Sequence, residues 1–495
     1  MKYISTRGKS GAISAADAII KGIADDGGLY VPESIPVFTE REMDELCEMD
    51  YKETAVLVLG KFLDDFSANE IKACVEAAYS ETNFDHSGIA PLAKLDGGVN
   101  ALELWHGPTC AFKDMALQLM PHLFVTALGK KNIKDHALVL VATSGDTGKA
   151  ALEGFRDVDG VSVAVFYPGD GVSEIQKRQM TTQRGGNVHV AGICGNFDDA
   201  QRAVKRIFAD SDFNQNLRAN GTFLTSANSI NWGRLVPQIV YYVHSCARLA
   251  ADGQLGKDER VDICVPTGNF GNILACYYAK HMGAPIGKLI CASNQNNVLT
   301  DFIHSGRYDR NRAFHQTMSP SMDILVSSNL ERLLFELSGH DSEYTADLMD
   351  SLASDGAYTV SDKIKAGLDS DFYGGFCDEA STQSEIKRVW DSQKYLLDTH
   401  TAVASYVLNI YLKERGENRP SIFVSTASPF KFAPDVLQAI SGSAATDGFE
   451  ALKQLSAYTG IKVPDPLAEL ENMPVIHDRT IDESYAAQFV IETQD

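Results

Sequence analysis

A series of short apolar runs, four of them halted by a small-residue turn, is the strongest constraint this chain places on its fold. Ala137-Leu-Val-Leu-Val-Ala142 stops at Thr-Ser-Gly, and Val161-Ser-Val-Ala-Val-Phe166 stops at Tyr-Pro-Gly. Residues 187–192 read as another strand. Residues 261–265 stop at Pro-Thr-Gly, residues 286–292 follow a helix-like stretch, and Ser421-Ile-Phe-Val-Ser425 stops at Thr-Ala-Ser-Pro. Helical patterns lie between these runs. The alternation predicts βαβ units and a buried parallel sheet, which makes the fold class α/β. Ligands of open α/β sheets bind beyond the carboxyl ends of the strands, so the site is expected at these small-residue loops.

The flanking regions have other rhythms. Residues 41–79 carry helical periodicity with Ser67 as an N-cap, and residues 25–28 form a turn. Residues 300–390 are more polar and read as helical and loop elaboration, with 369–377 a loop segment. A length of 495 residues favours two or three domains. The net charge of -22 disfavours nucleic-acid and membrane-surface partners but leaves room for a locally positive pocket. The nine cysteines are scattered, odd in number and without a CxxC pair, which argues against a disulfide framework or a structural zinc site. No HExxH or comparable spacing occurs among the histidines, so no catalytic metal is expected. The first twenty residues hold no apolar core of signal-peptide length, and no run approaches a membrane span. The expectation is a cytoplasmic protein.

Four segments carry chemistry. Pro266-Thr-Gly-Asn-Phe-Gly-Asn272 lies between a strand and an apolar-periodic stretch. Its glycines free backbone N–H groups and a following helix N-terminus adds positive charge, an anion cradle suited to phosphate. The spacing is neither GxGxxG nor a P-loop, and an ordinary strand-to-helix turn is the plain alternative. Thr143-Ser-Gly-Asp-Thr-Gly148 occupies a similar place. Ser144, Thr147 and the loop N–H groups suit a carboxylate, whereas capping by Ser144 or Asp146 is the plain reading. Lys113, in His106-Gly-Pro-Thr-Cys-Ala-Phe-Lys113, falls at the start of a mostly apolar helix, the end where the dipole penalises a cation. Partial burial there would lower its pKa and make its amine a Schiff-base nucleophile; a surface lysine laid along apolar neighbours is the alternative. Ser425-Thr-Ala-Ser-Pro-Phe-Lys-Phe432 offers a hydroxyl to a ring nitrogen or a phosphate, or simply turn chemistry. Three of the four follow strands of one apparent sheet. Together they supply what an enzyme using pyridoxal 5'-phosphate (PLP) on an amino acid requires.

The motifs resemble those of the threonine synthase family, one of the fold-type II PLP enzymes. Tyr3-Ile-Ser-Thr-Arg-Gly8 and Asp26-Gly-Gly-Leu-Tyr-Val-Pro32 are similar to that family's N-terminal signature. Gly107-Pro-Thr-Cys-Ala-Phe-Lys-Asp114 resembles its PLP-lysine motif, with Cys110 at an often aliphatic position. Ser144-Gly-Asp-Thr-Gly148, Ser226-Ala-Asn-Ser-Ile-Asn-Trp-Gly-Arg234, Gly268-Asn-Phe-Gly-Asn272, Asp398-Thr-His-Thr-Ala402 and Ser425-Thr-Ala-Ser-Pro429 stand in the family's order. The resemblance implies two lobes, each with a mostly parallel sheet flanked by helices. It divides the chain into an N-terminal, mainly helical region (1–98), a first lobe with the PLP lysine and carboxylate loop (99–225), a second lobe with the PLP-phosphate loop (226–440), and a C-terminal segment packed on the lobes (441–495). It implies that Lys113 binds the cofactor aldehyde, that Gly268, Asn269, Phe270, Gly271 and Asn272 hold its phosphate, and that Thr426 faces its ring nitrogen. Ser144, Gly145, Asp146 and Thr147 would hold the substrate carboxylate. Asn231 and Arg234 would wall the substrate phosphate, with helix capping and a surface arginine as their alternative. The implied reaction joins O-phospho-L-homoserine and water to give L-threonine and phosphate, by γ-elimination and β-addition, in a monomer or dimer. A PLP lyase on another hydroxylated or phosphorylated amino acid is the rival within the class, and a non-catalytic α/β binding protein the rival outside it.

Overall fold

The computed structural model describes residues 1–143, 145–169, 172–416, 419–444 and 447–493. At the N-terminus β1 (Tyr3–Ser5) pairs antiparallel with β2 (Tyr30–Pro32). Helices Glu40–Leu46, Tyr51–Phe62 and Ala68–Ala78 follow. Thr39, Asp50 and Ser67 each open a capping box with a glutamate three residues on, which satisfies two otherwise orphaned N–H groups per helix. Val58, Leu59, Phe62, Ile71 and Val75 place these helices in the largest apolar core.

Next come β3 (Leu92–Lys94), β4 (Val99–Glu103), β5 (His136–Ala142), β6 (Val161–Pro168), β7 (Val188–Ile193) and β8 (Thr222–Thr225). Then follow β9 (Val261–Pro266), β10 (Ile286–Ser293), the antiparallel pair β11 (Arg307–Asp309) and β12 (Ala357–Thr359), β13 (Phe372–Phe376), β14 (Ser421–Ser425) and β15 (Thr480–Ile481). Two main sheets result. One runs β13-β10-β9-β14-β4-β3 and is parallel except at its β3 edge. The other runs β15-β7-β6-β5-β8 and is parallel throughout. Strands β6 and β9 are buried at every residue, as strands covered by helices on both faces are. No helix among the described residues is long and apolar enough to cross a membrane.

All six strands expected from the apolar runs are present, with ends displaced by no more than two residues. Strands β3, β4, β8, β15 and β13 of the two main sheets are additional. The last lies inside the stretch expected to be a loop, because Phe-Tyr-Gly-Gly-Phe has poor strand propensity. Packing demands those glycines: a Cβ on Gly375 would stand 2.5 Å from Val407 Cγ1.

The expected lobe limits also change. Strand β4, at the start of the 99–225 lobe, instead pairs with β14 from Val99–Ser421 to Glu103–Ser425. The Lys113 segment therefore hangs from the six-stranded sheet, and the five-stranded sheet takes β5 to β8. Thr143–Gly148 follows a strand of this second sheet, so the loops do not divide as one apparent sheet would suggest. Strand partnership is a long-range property that local apolar runs do not encode. From the C-terminal segment, β15 returns to pair with β7.

Candidate active site

Strands β4 and β14 end side by side, and the segments leaving them stay joined. Phe112 N–H donates to the Thr426 carbonyl at 2.8 Å, and Ser428 N–H to the Cys110 carbonyl at 3.0 Å. Ala111 and Ala427 form an antiparallel bridge. This seam fixes Lys113, directly before helix Asp114–Leu117, beside the Thr426 segment. Lys113 is only 8% exposed. Burial lowers its pKa below that of an ordinary lysine; the Asp146 carboxylate opposes the shift, and the Lys431 and Arg234 cations reinforce it. The surface-lysine alternative is thereby excluded.

Asp146 arrives from the other sheet, at the start of helix Asp146–Gly154 after β5. Thr143 Oγ1 shapes the approach, accepting from Gly145 N–H at 3.0 Å and Gly148 N–H at 2.9 Å. The Asp146 side chain makes no cap. Its Oδ2 lies 3.3 Å from Lys113 Nζ, and its Oδ1 lies 2.8 Å from Lys431 Nζ and accepts from Gln176 Nε2 at 2.8 Å. Burial alone would raise its pKa, but the two lysines and Gln176 hold it far below the usual carboxylate range. A carboxylate so engaged is a partner for cations and repels another carboxylate. Of the loop expected to hold the substrate carboxylate, Gly145 gives its N–H to Thr143, and Thr147 lies in the first turn of the helix. Ser144 lies outside the described residues.

Beyond β9 the chain enters residues 267–272. Ser327 Oγ donates to the Gly268 carbonyl at 2.7 Å, and Asn329 donates to the Asn269 carbonyl from its backbone at 3.0 Å and its side chain at 3.1 Å. Phe270 takes a left-handed φ of 64° and helix Gly271–His281 begins. The first-turn N–H groups of such a helix have no intrahelical acceptor, and its dipole favours an anion there. Asn272 accepts at Oδ1 from the hydroxyls of Tyr241 and Tyr242, each at 2.6 Å. Its Nδ2 is buried without a hydrogen-bond partner. A buried donor left open calls for an acceptor in the site.

The Asp398–Ala402 motif braces both ends of this arrangement. Asp398 is buried and accepts from the Thr401 hydroxyl and from His400 Nδ1 at 3.1 Å. Thr401 Oγ1 in turn accepts from Thr426 N–H at 3.2 Å. His400 Nε2 accepts from Ser321 N–H at 3.2 Å, and Ser321 covers Gly268. Sequence reasoning named no role for Asp398, His400, Thr401 or Asn329, whose work is visible only through the residues they hold. It also passed over Lys431, although Phe430-Lys-Phe432 repeats the pattern of an apolar-flanked lysine beyond a strand end.

Asn231 and Arg234 part company. Asn231 caps helix Trp232–Ala251, accepting from Gly233 N–H at 2.8 Å and donating to the carbonyls of Ile19 and Ser226. Its side chain belongs to the scaffold, and the substrate-wall expectation fails there. Arg234 is 3% exposed, and its Nη1 donates to the Ala227 carbonyl at 2.8 Å. Its Nε is buried without a partner. Burial lowers its pKa to about 10. No carboxylate among the described residues pairs with it, so a buried cation stands open within electrostatic reach of Lys113. Among the described residues no group of His, Cys, Asp or Glu side chains is arranged to hold a metal ion.

A buried lysine, an anion cradle and a neutral hydroxyl at converging strand ends agree with the family comparisons. Residues 85–426 match the family of pyridoxal-phosphate dependent enzymes, and residues 2–79 match the threonine synthase N terminus. The class is thus that of PLP-dependent enzymes. A threonine synthase of Pseudomonas aeruginosa is 42% identical over 445 residues, covering 90% of this chain and 91% of that protein. The human protein threonine synthase-like 1 is 43% identical over 435 residues, covering 86% of this chain but 58% of its own length. The chain therefore spans little more than half of that relative. The crystal structure of threonine synthase from yeast superposes with a TM-score of 0.89 at 33% identity, covering 100% of this chain and 98% of that one. PLP-bound threonine synthase from Brucella melitensis gives 0.87 at 37%, covering 99% of both chains. The chain belongs to the threonine synthase family, and its two-lobed α/β architecture is that of fold type II.

Proposed function

We propose that this chain converts O-phospho-L-homoserine and water to L-threonine and phosphate with PLP held on Lys113. The observation that carries the reading is the place of Lys113, a buried amine of lowered proton affinity where the ends of the two sheets meet.

The residues fit the cofactor. The open Asn272 Nδ2 and the first N–H groups of helix Gly271–His281 would take its phosphate. Thr426 would meet the ring nitrogen with a neutral hydroxyl, and Lys113 Nζ would bind the aldehyde. Bound there, the cofactor supplies an electron sink for charge developing at the substrate Cα.

The remaining work falls to the chain. The Thr147 N–H, in the first turn of helix Asp146–Gly154, binds the substrate carboxylate. Arg234 binds the substrate phosphate, which supplies the acceptor its Nε lacks. Lys113 Nζ, released when the substrate amine takes its place, accepts the proton from Cα and shuttles protons at Cβ and Cγ. Phosphate leaves from Cγ and water adds at Cβ. Asp146 holds the Lys113 ammonium within reach between transfers. The loops of the two sheets keep water out until the addition step. The cysteines are free thiols, seven of them buried, and on that ground we place the protein in a reducing compartment, the cytoplasm.

The test has two parts. Purified protein with PLP is expected to show a band near roughly 410–420 nm that borohydride abolishes and that Lys113→Ala lacks. Release of phosphate from O-phosphohomoserine, with threonine formed in equal amount, then separates this reaction from other PLP lyases. Absence of the band in excess PLP would overturn the reading.

A further inference from the structure

Asp146 stands between two buried lysines, one on each carboxylate oxygen. Lys431 Nζ is 2.8 Å from Oδ1, and Lys113 Nζ is 3.3 Å from Oδ2. The side chain of Lys431 is 0% exposed. It leaves the turn Pro429–Phe432 beyond β14, and its Nζ also donates to the Thr109 carbonyl at 2.9 Å. Lys431 therefore ties together the segments after β4, β5 and β14. A buried ammonium needs a counter-charge, and Asp146 is the one in reach. The other nearby carboxylate, Asp114, is occupied by Thr109, accepting from its N–H at 2.8 Å and its hydroxyl at 2.6 Å. Lys149 pairs with Glu153.

We propose that Lys431 is a positioning residue that keeps the Lys113 amine reactive by engaging Asp146 from its other side. A lone Asp146–Lys113 pair in a dry site would be a closed ion pair, with the proton held on Nζ. Lys431 breaks that closure. It takes the shorter contact with the carboxylate and adds a second positive charge beside Nζ. The charged groups facing Lys113 are then Asp146, Lys431 and Arg234, two cations against one anion, and the proton is the part that leaves. Lys431 has a second consequence. Once Lys113 is bound to cofactor, Asp146 still has a counter-ion in place.

This inference rests on Lys113 being the cofactor lysine. The test uses the full chain, stripped of cofactor with hydroxylamine and recombined with PLP between pH 6 and 10. The readout is the rate at which the borohydride-sensitive band forms. Lys431→Gln keeps a donor for Thr109 but loses the charge. Its band is expected to form about tenfold more slowly at neutral pH, with the midpoint of the pH profile raised by about one unit. Lys431→Arg keeps the charge and is expected to keep the parent midpoint. Asp146→Asn removes the anion and is expected to move the midpoint down. A folded Lys431→Gln with the parent profile overturns the proposal, as does a raised midpoint in Lys431→Arg. If Lys431→Gln fails to fold, the direction of the Asp146→Asn shift decides, and an unchanged or higher midpoint overturns it. Lys113→Ala separates the two readings: a borohydride-trapped band that persists there means that another lysine carries the cofactor.

Discussion

The guanidinium of Arg7 grips the Glu331 carboxylate with two prongs, Nη2 to Oε2 at 2.9 Å and Nε to Oε1 at 3.0 Å. Thr6 adds a third bond, its hydroxyl 2.6 Å from Oε1. Glu331 lies in the first turn of helix Leu330–Ser338, whose N-terminal neighbour Asn329 holds the Asn269 carbonyl. Arg332, on the other side, donates to the Tyr30 and Ile230 carbonyls. The N-terminal motifs thus reach the anion cradle through one short helix, although no residue of theirs enters the site.

Removing that grip leaves the buried Glu331 with a single partner. Arg7→Ala is expected to lower stability by about 2 kcal/mol, short of the full loss for a buried pair because Arg7 is partly exposed. Arg7→Lys should recover little, since an ammonium cannot reproduce the two-pronged contact. Chemical denaturation checks this, and a parent-like midpoint for Arg7→Ala would sink it. Weaker PLP retention should accompany the loss.

Gly268 has no room for a side chain. An added Cβ would lie 2.7 Å from the Ser321 carbonyl oxygen and 3.3 Å from Met322 Cα, both backbone atoms. Neither can rotate aside, and Ser321 is anchored by His400. Gly268→Ala must therefore move the cradle itself. Overpacking of this kind costs about 1–3 kcal/mol. The larger effect is expected on PLP affinity, which should fall by about tenfold or more as the N–H groups lose their aim. Fluorescence titration with PLP measures it, and an unchanged Kd would show that the cradle tolerates the shift.

Arg234→Gln removes the open buried cation while keeping a polar side chain. A charge-assisted bond to phosphate is worth about 1.5–3 kcal/mol, so KM for the phosphorylated substrate should rise by about 10- to 100-fold. The absorbance of bound PLP should stay as in the parent, because Arg234 is assigned to the substrate. A band that needs excess PLP to form, with unchanged KM once it is saturated, would move Arg234 from the substrate phosphate to the cofactor.

The sequence made the strands and loops legible because each is a local signal. Apolar runs ending in Gly-containing turns mark β5, β6 and β9, a run ending at Thr-Ala-Ser-Pro marks β14, and the apolar context of Lys113 points to its burial. Pairing was not legible. Nothing near Val99 shows that it lies against Ser421, so a division at 99–225 sets the Lys113 segment with a sheet it does not join. Side-chain direction was also hidden. Asp146 reads equally well as a cap or a ligand holder, and only the arrival of Lys431 from 285 residues away makes it the counter-ion of two lysines. Asn231 fails for the same reason in reverse, since its partners at Ile19 and Ser226 turn a candidate ligand into a cap.

His106 stands between two carboxylates, Nδ1 2.6 Å from Asp85 Oδ1 and Nε2 2.9 Å from Glu103 Oε2, with Trp105 stacked at 4.3 Å. Burial alone would lower its pKa, but the two hydrogen-bonded carboxylates outweigh it and raise it from 6.5 to about 9. A pKa raised on folding contributes stability that is complete below the unfolded value and is lost as pH rises through the folded one. Stability is thus expected to fall between pH 6.5 and about 9. The loss should be about 2 kcal/mol, less than the full shift implies because the Asp85 side chain is 58% exposed and screened. Trp105 Nε1 donates to Ser425 Oγ at 3.0 Å, so the ring stacked on His106 is tied to the end of β14. His106→Gln should flatten the profile across this window and begin from a lower plateau at pH 6. Denaturant midpoints at pH 6, 7.5 and 9 for both proteins measure the difference. Parallel profiles would mean that the imidazole is not the group that titrates, and the slope would have to be assigned elsewhere.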